Sequence, residues 1–163
     1  MAGLVDRLRE LLADAEPPDD AVAALDIAYQ QRLASLHEVR HELDAVAAAR
    51  RRLAVARGLA DPATAAAGQA RDAEYAAQEA ALDRLTAVLR SQVEDFRAER
   101  DRIRLLPDPA LMAHQARAAL ARWQQDARTL LHDAADGYPE PSGFVGDAET
   151  PDRFEQPPGG ERR

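Results

Sequence analysis

Two histidines one helical turn apart are the residues whose types and spacing come nearest to a catalytic motif. The string His37-Glu38-x-x-His41 matches the H-E-x-x-H motif of zinc peptidases. In those enzymes both imidazoles bind zinc from one face of a helix, and the glutamate polarises a zinc-bound water. A third protein ligand is also needed. The metzincin continuation fails, because Asp44 and Ala47 stand where glycine and the third histidine belong.

The apolar residues around the two histidines indicate which way they point. Leu36, Val39 and Leu43 belong to a heptad seam, which leaves His37 and His41 on the outer face of the helix. No cleft is expected there, so we interpret the pair as solvated histidines. Adventitious metal binding by the pair would not imply an enzyme. The sequence therefore predicts no metal site, no catalytic residue and no cofactor.

Composition and charge exclude further classes of function. The chain has no cysteine, no glycine-rich phosphate loop and no nucleophile elbow. The triplet Arg50-Arg51-Arg52 is typical of a solvated helix turn, with contact to acidic lipid or a partner as the alternative. The net charge is -8, and residues 21–136 carry 16 arginines against 17 acids, so no basic face for nucleic acid is expected.

A short amphipathic helix is predicted over residues 3–16. Acidic and basic residues occupy its polar face, and Pro17-Pro18 end it before Asp19 or Asp20 caps the next helix. Its apolar face is interpreted as a membrane or partner contact, with folding back onto the protein's own core as the alternative. The predicted contact residues are Leu4, Val5, Leu8, Leu11 and Leu12.

Two long helices, predicted over 21–57 and about 62–105, carry the heptad pattern of a coiled coil. Gly58 offers a stop, and Asp61-Pro62 is typical of a cap and first helical residue. Joined by a turn near 58–62, the two arms are expected to lie antiparallel, each about 60 Å long. The predicted seam comprises Val22, Leu25, Tyr29, Leu36, Val39, Leu43, Val46, Leu53, Tyr75, Leu82, Leu85, Leu89, Phe96 and Ile103. Polar seam positions are Arg32, Arg50, Arg57, Gln78, Gln92 and Glu99.

A third helix is predicted over about 109–135, after the break at Pro107-Asp108-Pro109. Trp123 is its expected anchor over the open end of the hairpin. From Gly137 onward ten of 27 residues are Gly or Pro, which predicts a disordered acidic tail in which Phe144 and Phe154 are incidental. The predicted organisation is all-α: segment 1–18, hairpin 19–106, third helix 107–136 and tail 137–163.

The two arms carry a family resemblance. Residues 25–33 read Leu-Asp-Ile-Ala-Tyr-Gln-Gln-Arg-Leu, and the arm continues through Val39-Arg40 to the arginine triplet and Leu53. Residues 89–97 of the second arm read Leu-Arg-Ser-Gln-Val-Glu-Asp-Phe-Arg. Over about residues 1–106, the order of elements and these runs resemble the phage-shock protein A (PspA) and Vipp family.

The resemblance implies a bacterial, ESCRT-III-like protein that binds stressed inner membrane through its first helix and polymerises through the hairpin and later helices. This chain departs from that pattern in two ways. Both arms look shortened near the tip, and after Pro107 a single helix and a tail replace the family's later assembly helices.

We therefore expect a non-enzymatic PspA-like coiled-coil scaffold in envelope stress or membrane maintenance. No apolar run approaches the length of a membrane span and no secretory signal is evident, so a cytoplasmic location is expected, peripheral on the inner face of the membrane. Its expected partners are further copies of itself or a full-length PspA-like paralogue, and an inner-membrane lipid surface. The alternative is a soluble adaptor or regulator without membrane activity, using Trp123 and the acidic tail.

Overall fold

The computed structural model describes residues 3–13, 19–59 and 62–138. The helices are α1 (Leu4–Leu11), α2 (Ala21–Gly58), α3 (Pro62–Arg104) and α4 (Pro109–Gly137), and the described ranges contain no strand. The prediction of an all-helical fold is confirmed for the residues that the structure describes. The Pro17-Pro18 break, Asp61, Phe144, Phe154 and nearly all of the predicted tail lie outside the described residues.

The helix bounds follow from local chemistry. The Asp20 side chain accepts a hydrogen bond from the Val22 backbone N–H at 2.9 Å and caps α2. Asp108 caps α4 in the same way, accepting from the Ala110 N–H at 2.9 Å, with Pro109 as the first helical residue. Each cap contributes about 1 kcal/mol. α1 is shorter than predicted, because the chain leaves the helix at Leu12.

Helices α2 and α3 contact each other along most of their length. Arg50 of α2 pairs with Asp72 of α3 at 2.9 Å, and Arg32 donates to Gln92 Oε1 at 3.0 Å. Near the start of α2, Asp26 pairs with Arg104. Residues late in α2 therefore contact residues early in α3, and residues early in α2 contact residues late in α3.

The predicted seam residues all lie at least half-buried. The buried ones are Leu25, Leu36, Val39, Val46, Leu82, Leu85, Leu89, Phe96 and Ile103. The half-buried ones are Val22, Tyr29, Leu43, Leu53 and Tyr75. The apolar heptad positions of α2 and α3 are thus removed from water, and burial of apolar surface is the main favourable contribution to packing.

Helix α4 lies against both long helices of its own chain, and α1 lies against α2 and α4. Two buried clusters result. One surrounds Trp123 and includes Leu25, Phe96 and Ile103, where α2 begins and α3 ends. The other contains the apolar face of α1 together with Leu36, Val39, Leu82, Leu89, Leu130 and Tyr138.

The prediction that the tail begins at Gly137 is wrong for its first two residues. Gly137 is the last residue of α4, and Tyr138 is only 8% exposed. The Tyr138 ring joins the cluster around α1, so residue 138 belongs to the packed core. No helix within the described residues combines the length and apolarity that a bilayer-spanning segment requires.

Candidate functional site: the docked N-terminal helix

The apolar face of α1 is covered by the rest of the chain. Leu4, Val5, Leu8 and Leu12 are buried, and Leu11 is half-buried. These are the five residues for which the sequence predicts a membrane or partner contact. In this structure the alternative holds, since α1 folds back on the protein's own core. Contact with a membrane through the same face requires α1 to leave that core.

One arginine joins α1 to α2 through two carboxylates. Arg7 Nε donates to Glu38 Oε1, and Arg7 Nη2 donates to Glu42 Oε2 at 2.8 Å. The Tyr138 hydroxyl, just beyond α4, donates to the other Glu42 oxygen at 3.4 Å. We call these four residues the Arg7 cluster. It connects three helices at the edge of the site, where Arg7, Glu38 and Glu42 are each about one-third exposed.

The cluster shifts the protonation equilibria of two of its members. Burial opposes the charge on Arg7, but the hydrogen bonds and negative charges of Glu38 and Glu42 outweigh it and raise its pKa. Burial, followed by the negative charge of Glu42, raises the pKa of Tyr138 to about 12. At neutral pH Arg7 is therefore a cation and Tyr138 a neutral hydroxyl donor, the forms that this geometry needs.

The histidine motif is divided between this cluster and the surface. His37 and His41 are exposed on α2, whereas Glu38 accepts the hydrogen bond from Arg7. Within the described residues, no group of three or more His, Cys, Asp or Glu side chains is placed to hold a metal ion. The carboxylate that a peptidase would use to polarise water instead anchors α1.

A second polar cluster fixes α4 on the long helices. The Trp123 Nε1–H donates to Glu99 Oε2 at 2.8 Å, and Arg122 also pairs with Glu99. Arg32 Nη2 donates to the Trp123 carbonyl at 2.6 Å. Burial opposes ionisation of Glu99, but the bonds from Arg122 and Trp123 outweigh it and lower its pKa. Trp123 is only 6% exposed, so it anchors α4 and is not available to the partner contact that the adaptor alternative assigns to it.

Sequence reasoning missed Arg7, Glu42 and Tyr138 as members of the site. Glu38 and Glu42 are four residues apart and therefore share a helix face, which is a signal for a cation opposite them.

Comparisons of the chain with family models, with curated proteins and with solved structures found no match. The PspA resemblance consequently rests on the sequence motifs quoted above. The site itself can hold an apolar helix face away from solvent.

Proposed function

We propose that this chain is a non-enzymatic, PspA-like scaffold that acts at the inner face of the cytoplasmic membrane in envelope maintenance. In this proposal α2 and α3 form an antiparallel coiled-coil hairpin, and α1 is the membrane-binding element, held closed against the hairpin and α4. The opposite order of the α2–α3 contacts and the buried heptad positions support the hairpin. The observation that carries the function is the docked apolar face of α1.

The proposal requires the docking of α1 to be reversible. Burying four apolar side chains contributes about 8 kcal/mol, at roughly 2 kcal/mol each. Ordering the eight residues of α1 costs about the same, at roughly 1 kcal/mol each for the backbone. Partly exposed ion pairs contribute about 1 kcal/mol or less each. Because apolar burial and backbone ordering nearly cancel, the two ion pairs of Arg7 help decide whether α1 stays docked.

The test releases α1 without changing its sequence. Glu38→Ala/Glu42→Ala removes both carboxylate partners of Arg7 from α2. We expect this variant to bind sonicated phosphatidylcholine vesicles about tenfold more than the wild type in co-sedimentation, because the apolar face becomes available. The matched control is Asp72→Ala/Glu79→Ala. It also removes two negative charges, but these carboxylates are the partners of Arg50 and not of Arg7. Its vesicle binding should stay at the wild-type level.

A third variant tests the apolar face directly. Adding Leu8→Glu/Leu12→Glu to the released variant should abolish vesicle binding, because charged side chains replace the part of α1 that enters the lipid. Lipid binding that survives these changes contradicts α1 as the membrane element. A released variant that binds no better than wild type contradicts membrane binding through α1.

The second candidate is a soluble protein-interaction adaptor or regulator without membrane activity. The observation in its favour is the same burial, because an α1 that never leaves the core is a structural helix. A released variant that gains no lipid affinity but retains the wild-type helical content would favour this candidate.

A further inference from the structure

The C-terminal end of α2 has an exposed face that neither α1 nor α4 covers. Val55 is 69% exposed and Leu59, the residue that caps the helix, is 86% exposed. Arg51 and Arg52 are exposed beside them. At 3.6 residues per turn, these four positions fall within about 100° of arc on the helix surface. We call this set the α2-end patch.

The two arginines of the patch differ from their neighbours in having no acidic partner among the residues that the structure describes. Arg50 pairs with Asp72 at 2.9 Å and with Glu79 at 2.6 Å, and Arg57 lies 3.8 Å from Asp72. Arg51 and Arg52 form no hydrogen bond or ion pair with any residue that the structure describes. Their guanidinium groups are therefore available to an external anion.

The surroundings of the patch are positive although the chain is acidic. Residues 48–79 contain five arginines against four acids, whereas the rest of the chain contains 16 arginines against 25 acids. α2 has 38 residues and is about 57 Å long, so the acids near the start of α2 and the end of α3 lie beyond the roughly 10 Å Debye length at 0.1 M salt. A surface approaching this end meets the local positive charge.

We propose that the α2-end patch binds the surface of an anionic lipid bilayer. Arg51 and Arg52 would contact lipid phosphates while Val55 and Leu59 enter the boundary between headgroups and acyl chains, the division typical of interfacial helices. Two apolar side chains are far too little for a stable protein interface, which needs about 800 Å² from each partner. The patch has no aromatic residue on which nucleic-acid bases would stack.

This contact goes beyond the function proposed for α1 and does not depend on it. The patch is exposed while α1 is docked, so the closed protein presents it. The contact of the patch with lipid requires anionic headgroups and weakens with salt, whereas the release of α1 is tested on uncharged vesicles. Failure of one proposal is therefore distinguishable from failure of the other.

The experiment measures partition of the full chain onto vesicles of phosphatidylglycerol and phosphatidylcholine in equal parts. Arg51→Gln/Arg52→Gln should lower the partition coefficient about thirtyfold, because two cations leave the lipid surface. Arg90→Gln/Arg117→Gln removes the same charge from exposed positions on α3 and α4 and should lower it much less. Equal losses in the two variants, or no binding by wild type, would overturn the proposal.

The absence of native cysteine allows the contact to be located. An environment-sensitive dye on Leu59→Cys should shift to the blue when anionic vesicles are added, and the same dye on Ser91→Cys of α3 should not. A shift at both positions, or at neither, contradicts binding through the patch. A duplex DNA probe that loses as much affinity as the vesicles in Arg51→Gln/Arg52→Gln would overturn the lipid assignment in favour of a general polyanion site.

Discussion

At the scale of single residues, Glu42 occupies the central position in the α1 site. One of its oxygens accepts from Arg7 of α1 and the other from Tyr138. A carboxylate with two donors from two directions fixes the relative positions of the elements that carry those donors. Glu42 of α2 thus contacts both α1 and the residue that follows α4.

Tyr138 should make the free energy of unfolding fall as the pH rises into the alkaline range. Its pKa is about 12 in the folded protein against 10.0 for the ordinary phenol, so between those values the folded protein holds a proton that the unfolded chain has lost. The stabilisation is complete below pH 10 and is lost as pH rises toward 12, at about 1.4 kcal/mol per pH unit. Denaturant unfolding followed by circular dichroism at several pH values measures this slope.

Two variants assign that slope to Tyr138. Tyr138→Phe keeps the ring but removes the ionisable hydroxyl, so its free energy of unfolding should fall less steeply over the same window. The groups that face this hydroxyl, Glu42 and Arg7, remain in place. Tyr75→Phe, which alters a half-buried tyrosine of α3, should retain the wild-type slope. Identical slopes in wild type and Tyr138→Phe would show that the phenol is not held neutral.

At the scale of helices, α4 is anchored by an aromatic contact. The ring centroids of Phe96 in α3 and Trp123 in α4 lie 4.3 Å apart. The ring of Tyr29 in α2 lies 5.9 Å from that of Phe96. Phe96 is fully buried, so Phe96→Ala should cost about 3–5 kcal/mol of the free energy of unfolding. The only tryptophan of the chain should also shift its fluorescence to the red, because α4 loosens and water reaches the indole.

The matched control for Phe96→Ala is Leu105→Ala, at the same end of α3. Leu105 follows α3 and is 83% exposed, so its truncation should change the stability by less than about 0.5 kcal/mol. Its tryptophan emission should match that of the wild type. If Phe96→Ala left the emission unchanged, α4 would not depend on this contact for its position.

The helices could be predicted from the sequence because their bounds depend on neighbouring residues. Asp20, Asp108 and Pro109 act within one turn of the helix that each one starts. Heptad spacing likewise identified the buried face of α2 and of α3, since a period determines which side chains share a face.

The docking of α1 could not be predicted in the same way. A period identifies an apolar face but not what covers it, and lipid or the chain's own core satisfies the same pattern. The place of Tyr138 was missed because glycine and proline dominate the composition from Gly137 onward, whereas its burial depends on Glu42, 96 residues away in the chain. Contacts of that sequence separation follow from tertiary packing and leave no local signal.

At the scale of the whole molecule, the docking of α1 leaves little apolar surface exposed for self-association. The large apolar side chains left exposed in the described ranges are few and divided among three places. Val55 and Leu59 lie at the end of α2, Val88 lies on α3, and Ile27, Leu105 and Leu111 belong to the region where α2 begins and α3 ends. None of these sets approaches the area that a stable interface needs.

We therefore expect the wild-type chain, of 17.8 kDa, to be a monomer or small oligomer when its mass is measured by light scattering after size exclusion. Glu38→Ala/Glu42→Ala should shift the protein toward higher mass, because a released α1 uncovers both its own apolar face and the surface it leaves. Asp72→Ala/Glu79→Ala should retain the wild-type mass. A megadalton wild-type species would contradict this expectation, because it would show that the chain assembles without the release of α1 by substitution.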